Sequence, residues 1–427
     1  MPANELRLLA HDPGPEKPHS EESKPLLKHA VHVMRRSSAW LTLCFLLIAA
    51  NEAGAENFSD CLSGLRGAAL ASGVDAGAFD KATRGLSPNP EVLAMAEAQP
   101  EFKVPIWDYL AGLVDEERVN DGRAMLARFG QAFALAESRY GIDKATIAAV
   151  WGVESDYGRS FGSRPIVQSL ATLSCGGRRQ RYFRSEFIAA LKILQRGDID
   201  PAQFNGSWAG AFGHTQFMPS TFLKDAVDLD GDGRKDLINS VPDALGSTAA
   251  YLRKSGWVAG GEWGFEVRLP EHYSGPSGRT HKEPMTAWAA RGLTRIDGRP
   301  LGDGPRAGLL LPAGPSGPAF LVTRNFDAIY SYNAAESYAL AIALLSDRLR
   351  GRPGLVAAWP TNDPGLSRVE RRELQTLLMR RGYDLDGKAD GVIGAKTERA
   401  IHDFQSRSGL HPDGRASASV LATLRSH

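Results

Sequence analysis

The sequence predicts a mainly α-helical protein with a small β subdomain and a separate helical module at its C-terminus. Three observations support this prediction. Apolar residues recur at helical spacing through much of 57–260 and again in 337–350. Between about 262 and 325, glycine and proline bound short apolar segments that are typical of strands. After a proline-containing linker at 351–365, residues 366–427 alternate helix and turn signals.

Length and composition are those of an ordinary globular protein. The 427 residues correspond to two or three domains at roughly 150 residues each. Hydrophobic residues make up 43% and charged residues 23%, which excludes wholesale disorder and a fibrous fold. A net charge of +1 gives no electrostatic reason to expect a nucleic-acid partner. Three cysteines are too few for a disulfide scaffold or a thiolate zinc site.

The N-terminal region indicates an export signal behind a misplaced start. Residues 1–33 are polar and charged without apolar periodicity, and we interpret them as a non-native extension. In 34–55, a methionine and two arginines precede an apolar run at 39–50 and a small-residue site at 53–55. This is the pattern of a secretory signal peptide, and the run is short for a membrane span. A buried core helix is the alternative, but it explains neither the basic flank nor the small-residue site. We expect the mature chain to begin at about Glu56.

Export also decides how the cysteines are interpreted. Cys44 lies inside the apolar run and follows Leu43, where a bacterial lipidation site has a small residue, so a lipid anchor is disfavoured. Cys61 and Cys175 remain in the mature chain, and two cysteines in an oxidising compartment favour a disulfide. The alternative is that both cysteines are buried free thiols, because the sequence does not show whether their side chains lie close enough to bond.

Glu154 is the strongest candidate for a catalytic residue. It follows an almost entirely apolar stretch of a helix that begins after the N-cap residue Asp143. Partial burial there is expected to disfavour the charged form and raise the pKa, as a general acid requires. The turn sequence 155–158 marks the helix end, where side chains border a cleft. On this segment alone, a solvated helix-end glutamate is the better interpretation.

Asp156 is the obvious second carboxylate for a two-acid glycosidase. Side chains at positions i and i+2 of a helix point to different faces. We therefore expect Asp156 to be a surface or capping residue and not a nucleophile.

The segment 207–220 suits the binding of an acetamido sugar. Its small residues let backbones approach closely, and Ser207 and Gln216 offer a hydroxyl and an amide for hydrogen bonds. Phe217 and Met218 offer apolar surface for a sugar face. An ordinary turn between helices is the alternative.

Together these segments resemble the B-type lytic murein transglycosylases, bacterial enzymes with a lysozyme-like fold that cleave peptidoglycan. The resemblance covers roughly 57–350 and implies a lysozyme-like α+β catalytic domain over 56–350, located in the periplasm. It also reverses the interpretation of Glu154, because many family blocks occur in the right order. The blocks that carry it are 149–155 with Gly158, 210–220, Tyr332-Asn333, Gln99-Pro100-Glu101-Phe102 with Trp107 and Tyr109, Arg178-Arg179 with Tyr182-Phe183, and Asn325-Phe326.

The resemblance implies a role for each matched position. Glu154 matches the single catalytic acid/base of the family. Substrate-binding roles fall on Ser207, Gln216, Phe217, Met218, Tyr332, Asn333, Arg178, Arg179, Tyr182 and Tyr338. The chain departs from some relatives at His214-Thr215, where they have Tyr-Gly, and at Asp156, where they have Arg. These departures concern the substrate and leave the reaction unchanged.

The implied reaction makes the protein a carbon–oxygen lyase acting on a polysaccharide. Glu154 protonates the β-1,4 bond between N-acetylmuramic acid and N-acetylglucosamine, and the C6 hydroxyl then attacks C1 to give a 1,6-anhydromuramyl end. A muramidase that uses water and a catalytically silent wall-binding protein are the alternatives. The presence of Glu154 with Ser207, Gln216 and Asn333 argues against the silent protein. We expect a monomer without a catalytic cofactor, and other cell-wall enzymes are candidate partners.

Residues 228–239 fit most of an EF-hand-like calcium loop, whose ligands lie at positions 1, 3, 5, 7 and 9. The glutamate expected at position 12 is replaced by Asn239, which suggests modest affinity. The family resemblance implies one more ligand, Asp243, a few residues after the loop. The alternative is that the segment is an acidic surface turn that binds no cation. The sequence thus predicts a structural Ca²⁺ held by Asp228, Asp230, Asp232, the carbonyl of Arg234, Asp236 and Asp243.

Residues 366–427 resemble the peptidoglycan-binding module that is often joined to wall hydrolases. Apolar positions at helical spacing predict a three-helix bundle, and the Asp-Gly turn at 390–394 is specific. The module would tether the enzyme to its polymer and raise its local concentration. A helical cap that packs on the main domain is the alternative, and the linker favours the separate module.

Overall fold

The computed structural model describes residues 57–98 and 104–426. The proposed extension, signal peptide and Cys44 therefore lie outside the described residues, as does the block Gln99-Pro100-Glu101-Phe102. Within the described ranges, no helix combines the length and the apolar character needed to cross a bilayer.

Helices make up most of the fold before the β subdomain, as predicted. Helix α7 lies at their centre, because all of its residues from Ala145 to Ser155 are buried. A helix that is apolar on every side must be surrounded by other elements, and here α5, α6, α11 and α14 pack around it. The helices are α1 (57–71), α2 (Ala76–Thr83), α3 (Pro90–Ala98), α4 (Ile106–Leu113), α5 (Glu116–Arg128), α6 (Gly130–Tyr140), α7 (Lys144–Ser155), α8 (Ile166–Cys175), α9 (Gln180–Arg196), α10 (Pro219–Asp225) and α11 (Val241–Lys254).

The β subdomain follows in the region where the sequence predicts strands. Its five antiparallel strands have the spatial order β4 (Lys282–Glu283), β6 (Ala307–Leu310), β7 (Ala319–Val322), β3 (Gly264–Arg268) and β5 (Thr294–Arg295). Leu309 lies opposite Leu321, and Val267 lies opposite Ala319. The sheet covers a small core around Trp288, whose indole donates to the Ala307 carbonyl at 2.8 Å. Helix α12 (Met285–Ala290) lies between β4 and β5 along the chain.

Two further helices complete the main domain. The helix α13 (Arg324–Asn333) begins after β7, and α14 (Glu336–Leu349) packs directly on α7. A separate two-stranded sheet pairs β1 (Arg164–Pro165) with β2 (Asn205–Gly206) ahead of the segment that carries Ser207.

The C-terminal residues form a three-helix bundle with a core of their own, as the sequence predicts. The helices are α15 (Arg368–Arg380), α16 (Ala395–Arg407) and α17 (Ala418–Ser426). A capping box between Ser367 and Glu370 begins α15. The Gln375 side chain accepts from the Gly391 amide at 2.7 Å and so fixes the Asp-Gly turn.

This bundle also packs against the main domain. Arg415 forms a two-point ion pair with Asp108 at 2.5 and 2.8 Å, and the linker amides of Val356 and Ala357 donate to Glu266 at 3.0 and 2.8 Å. The bundle thus combines the separate core of an independent module with the docked position of a helical cap.

A disulfide joins Cys61 on α1 to Cys175 at the end of α8. The two cysteines are 114 residues apart in sequence, so the bond closes a long loop and restricts the unfolded chain. It fastens the first described helix to the domain core.

Loss of this disulfide should lower the free energy of unfolding by about 2–4 kcal/mol. The variant is Cys61→Ser with Cys175→Ser, compared with the wild-type mature chain by urea denaturation without reductant. Reduced wild type should unfold at the variant's midpoint, whereas reductant should leave the variant unchanged. Equal midpoints for oxidised wild type and variant would count against a stabilising bond.

Candidate active site

Helix α7 carries Glu154 into the centre of the main domain. Its N-cap Asp143 accepts from the Ala145 amide at 2.8 Å, and the helix ends at Ser155. Glu154 has no exposed surface, which excludes the interpretation as a solvated helix-end glutamate. Burial of a carboxyl favours its neutral, protonated form, which is the form a general acid needs.

Tyr338 on α14 donates a hydrogen bond from its hydroxyl to Oε1 of Glu154. Burial and the nearby Glu154 carboxylate raise the pKa of Tyr338 well above its usual value, so the hydroxyl keeps its proton. Tyr338 stacks on Tyr332, with ring centroids 6.3 Å apart, and Tyr332 donates to the Thr215 carbonyl at 2.7 Å. These contacts link α7 to α13, α14 and the 207–220 segment.

Tyr109 on α4 also faces this site, although it is absent from the predicted substrate positions. Its buried hydroxyl has no hydrogen-bond partner among the described residues. Burial and the negative charge of Glu154 raise the pKa of Tyr109, so its hydroxyl keeps its proton. The family block that contains Trp107 and Tyr109 was the signal that could have identified it.

The 207–220 segment forms a tight, buried turn beside α7. The Ser207 hydroxyl accepts from the Ala211 amide at 3.0 Å. The Gln216 side chain donates to the carbonyls of Gly213 and Phe161 at 2.9 and 3.1 Å. Its backbone is left-handed, with φ of 51°. The amide and hydroxyl are therefore fixed by the turn itself.

Phe217 and Met218 lie beneath the site. They are 0% and 2% exposed, so in this structure neither offers the apolar surface for a sugar that the sequence predicts. The Phe217 ring packs against Tyr251 and Tyr332, with centroids about 6 Å away. Phe217 thus supports Tyr251 and Tyr332 from within the core. Asn333 is also fully buried at the end of α13, next to Tyr332.

The predicted basic cluster lies at the start of α9. Arg178 is exposed, and Arg179 places its guanidinium 4.6 Å from the centre of the Tyr182 ring. Arg179 is left-handed, with φ of 61°, directly before the helix. The structure thus pairs Arg179 with Tyr182 and leaves Arg178 accessible.

The His214 ring, at one of the positions where the sequence departs from some relatives, is held by contacts with α7 and Phe161. The Trp151 indole donates to Nδ1 of His214 at 3.1 Å, and Ser155 donates to the His214 carbonyl at 2.5 Å. Its ring also packs on Phe161 with centroids 4.7 Å apart. Burial lowers the pKa of His214 to about 4, so the ring is neutral in the native state. His214 therefore joins the end of α7 to the 207–220 segment.

The predicted calcium loop brings together three of its ligands. Ligand oxygens of Asp228, Asp230 and Asp232 lie within 4.8 Å of one another. The Asp243 carboxylate instead accepts from the backbone amides of Leu229 and Asp236 at 2.7 and 2.9 Å. Asp243 thus ties the two arms of the loop together, and burial raises its pKa.

An open cavity of about 560 Å³ lies on the β subdomain. It is lined by 267–273, Ile296, 315–317 and the linker residues Val356 and Ala357. None of the predicted site residues lines it, so the chemistry described here does not take place there.

Comparison with known proteins identifies the family. A family model described as the transglycosylase SLT domain matches residues 57–347. The chain belongs to the transglycosylase SLT family. A second model, described as a putative peptidoglycan binding domain, matches residues 367–424. Both parts of the resemblance stated from the sequence are thereby confirmed.

A curated relative of the chain is a lytic transglycosylase. It is 35% identical over 237 residues to membrane-bound lytic murein transglycosylase B of Escherichia coli, an alignment that covers 55% of this chain and 64% of that relative. The chain thus spans less than two thirds of the length of this curated relative.

Solved structures of the family share the fold. SltB3 from Pseudomonas aeruginosa, in complex with NAG-anhNAM-pentapeptide, is 45% identical with a TM-score of 0.70, over 86% of this chain and 99% of that one. Escherichia coli Slt35 in complex with calcium is 29% identical with a TM-score of 0.59, over 69% and 93% of the two chains. These neighbours confirm the predicted lysozyme-like fold class.

Acidification should destabilise this family member partly through His214. A pKa lowered from 6.5 to about 4 means that the unfolded chain binds a proton between those values and the native chain does not. The contribution of neutral His214 to the free energy of unfolding is therefore complete above pH 6.5. It is lost as the pH falls, and the loss at pH 5 is roughly 2 kcal/mol. Urea denaturation at pH 7.5 and pH 5 measures it.

His214→Tyr supplies the comparison, because it places at this position the residue that some relatives carry and removes the titrating group. Other carboxyls contribute equally to both proteins, so the loss of stability between the two pH values should be smaller in the variant. An identical loss in both would show that His214 does not titrate as described.

Proposed function

We propose that this chain is a periplasmic lytic transglycosylase that cleaves the β-1,4 bond between N-acetylmuramic acid and N-acetylglucosamine in peptidoglycan. The product is a 1,6-anhydromuramyl end, and Glu154 is the acid/base. The observation that carries this proposal is the buried Glu154 carboxyl at the end of α7, held by Tyr338, in a member of this family.

The first half of the reaction needs a neutral Glu154. Tyr338 donates to Oε1, so Oε2 is the oxygen that would carry the proton to the glycosidic oxygen. The bond between C1 and that oxygen then breaks, and positive charge develops at C1. The acetamido carbonyl of the muramyl residue attacks C1, so no protein nucleophile is needed.

The second half returns the proton. The Glu154 carboxylate, stabilised by the Tyr338 hydroxyl, takes the proton of the C6 hydroxyl, and that oxygen attacks C1 and displaces the acetamido group. Asp156 does not act as a nucleophile or base, because its carboxylate binds Arg118 at 3.2 Å and Arg368 at 2.6 Å. This agrees with its predicted role as a capping residue, since it is the C-cap of α7.

The surrounding residues would orient the glycan. We propose that Ser207, Gln216 and Asn333 bind the glycan beside the acid, and that Arg178 and Arg179 meet the stem-peptide carboxylates. A bound glycan has to displace part of the packing around Glu154, because the carboxyl is fully covered in this structure. The C-terminal bundle would hold the enzyme on its polymer, with the chain acting as a monomer and other cell-wall enzymes as candidate partners.

Glu154→Gln should abolish anhydromuropeptide formation from purified peptidoglycan. Loss of a general acid/base costs about 10²–10⁴-fold in rate. Mass spectrometry of the soluble products measures it for the mature wild-type chain and the variant. The matched control is Glu97→Gln, which makes the same chemical change at an exposed position on α3 and should retain full activity.

Each outcome of this experiment decides between the candidates. Reducing-end muropeptides from wild type would show that water attacks C1 and that the protein is a muramidase. Binding to peptidoglycan without products, from a folded wild type, would indicate a wall-binding protein. Anhydromuropeptides from Glu154→Gln would remove Glu154 from the acid/base role.

We also propose that the 228–243 loop binds a structural Ca²⁺. Clustered carboxylate oxygens of Asp228, Asp230 and Asp232 are the ligand type that this cation prefers. A carbonyl from Arg234 and oxygens from Asp236 and Asp243 would add to them, with some rearrangement of the bonds that now tie the loop. The cation would take no part in the reaction.

Calcium should raise the thermal midpoint of chelator-treated protein. Binding to the native state alone stabilises by about 2.7 kcal/mol at a concentration one hundred times Kd. The measurement is Tm by circular dichroism with and without millimolar CaCl₂. Asp228→Asn with Asp232→Asn should remove the increase, and MgCl₂ should give a smaller one. An unchanged wild-type Tm would argue against the site.

A further inference from the structure

Arg368, the first residue of α15, reaches out of the C-terminal bundle into the main domain. It is only 9% exposed. Its Nε donates to Asp115 at 3.1 Å, and its Nη1 donates to Asp156 at 2.6 Å. Its backbone amide also donates to Asp115 at 3.1 Å. These carboxylates raise the pKa of Arg368 although burial opposes it, so the guanidinium stays charged.

Asp156 is a sensitive position for such a contact, because it lies two residues after Glu154. It ends α7 in a left-handed conformation with φ of 51°, and Tyr157 follows with φ of 57°. Non-glycine residues are disfavoured in this conformation and persist in it only where their surroundings hold them in place. The turn that follows the catalytic glutamate therefore depends on contacts made by its side chains.

Two arginines from different domains hold this turn. Arg118 on α5 donates to the Gly152 carbonyl in the last turn of α7 and lies 3.2 Å from the Asp156 carboxylate. Arg368 binds the same oxygen of Asp156. Burial and the like charge of Arg368 lower the pKa of Arg118, which shows how closely the two cations share one carboxylate.

The aromatic residue of the turn is fixed by the same group. Tyr157 folds back over α7 and donates to the Arg118 carbonyl at 3.0 Å. A Cβ atom at Gly152 would come within 2.6 Å of its ring, so the helix has a glycine where the ring packs. The end of α7 thus has little freedom to turn while Arg118, Asp156 and Arg368 stay in place.

The interface around Arg368 is a specific fit. The Arg371 guanidinium packs so closely on Gly112 of α4 that a Cβ atom at Gly112 would lie only 2.5 Å from it. Arg371 also donates a hydrogen bond to the Asp108 carbonyl at 2.9 Å. Together with the Arg415–Asp108 pair, these contacts fix the bundle in one position. Arg368 therefore reaches Asp156 as part of a built surface.

We propose that Arg368 is a positioning residue for the reaction, which acts through Asp156 to hold the end of α7 and with it Glu154. The C-terminal bundle then contributes to turnover itself in addition to binding the polymer. This inference rests on the proposed role of Glu154 as acid/base. A purely tethering bundle would affect only the affinity for peptidoglycan.

The test compares kcat and KM of Arg368→Ala and Arg372→Ala on soluble, uncross-linked NAG–NAM-peptide chains. Arg372 is the matched control: it lies on the same helix and pairs with Glu117 across the same interface at 2.6 Å, but does not contact Asp156. We expect kcat to fall tenfold or more in Arg368→Ala with KM within twofold. Arg372→Ala should stay within twofold in both constants.

Three further variants make the result decisive. Arg368→Lys keeps the charge and should restore part of kcat. Asp156→Asn tolerates the left-handed backbone and loses the ion pair, so it should reproduce the kcat loss even if Arg368→Ala fails to fold. Combining it with Arg368→Ala should add little further loss. Circular dichroism and Tm establish that each compared variant is folded.

Wild-type kcat in folded Arg368→Ala or Asp156→Asn would overturn the proposal, and so would equal losses in Arg368→Ala and Arg372→Ala. Glu154→Gln, measured alongside, separates the two levels of inference. If Glu154→Gln is inactive and Arg368→Ala turns over normally, only the positioning role fails. If Glu154→Gln remains active, the assignment of the acid/base fails first.

Discussion

The hydrogen bond between Tyr338 and Glu154 is the interaction on which the site depends. A carboxyl without solvent contact is stable inside a domain only if polar groups meet it. Tyr338 does so from α14, and that position exists because α14 packs along the buried α7. Apolar packing of two helices thus creates the place for the titratable group that the proposed chemistry requires, and burial there favours the neutral form that a general acid needs.

Backbone strain is concentrated around this group. Asp156 and Tyr157 end the catalytic helix, Gln216 lies in the facing turn, and Ala334 ends the helix of Tyr332 and Asn333, all with positive φ. Left-handed conformations at non-glycine residues persist only where surrounding contacts determine them. Here those contacts are hydrogen bonds and ion pairs from neighbouring elements, so the positions of the site residues are set by the packed domain as a whole.

The elements that can be predicted from the sequence are those with a pattern inside one short segment. The apolar helix before Glu154, the strands of the β subdomain and the helical period of the C-terminal bundle are all patterns within short segments, and each agrees with the structure. The Tyr338–Glu154 bond joins residues 184 positions apart, and neither residue carries a local signal for the other. The apolar side chains of Phe217 and Met218 are equally compatible with the wall of a cleft and with the core beneath it. The structure places both residues in the core.

The C-terminal bundle shows the same limit at the level of domains. Its own core makes it a module, and the proline-rich linker favours an independent one. Its docking depends on contacts between residues far apart in sequence, such as those of Arg368 with Asp115 and Asp156, which are more than two hundred residues away. A surface ion pair contributes little, whereas an arginine buried among carboxylates leaves them uncompensated when it is removed. Arg368 is buried, whereas the nearby Arg372–Glu117 pair is half-exposed. Removal of Arg368 should therefore cost more stability than removal of Arg372. Arg368 is therefore a buried anchor of the bundle that lies beside the end of α7.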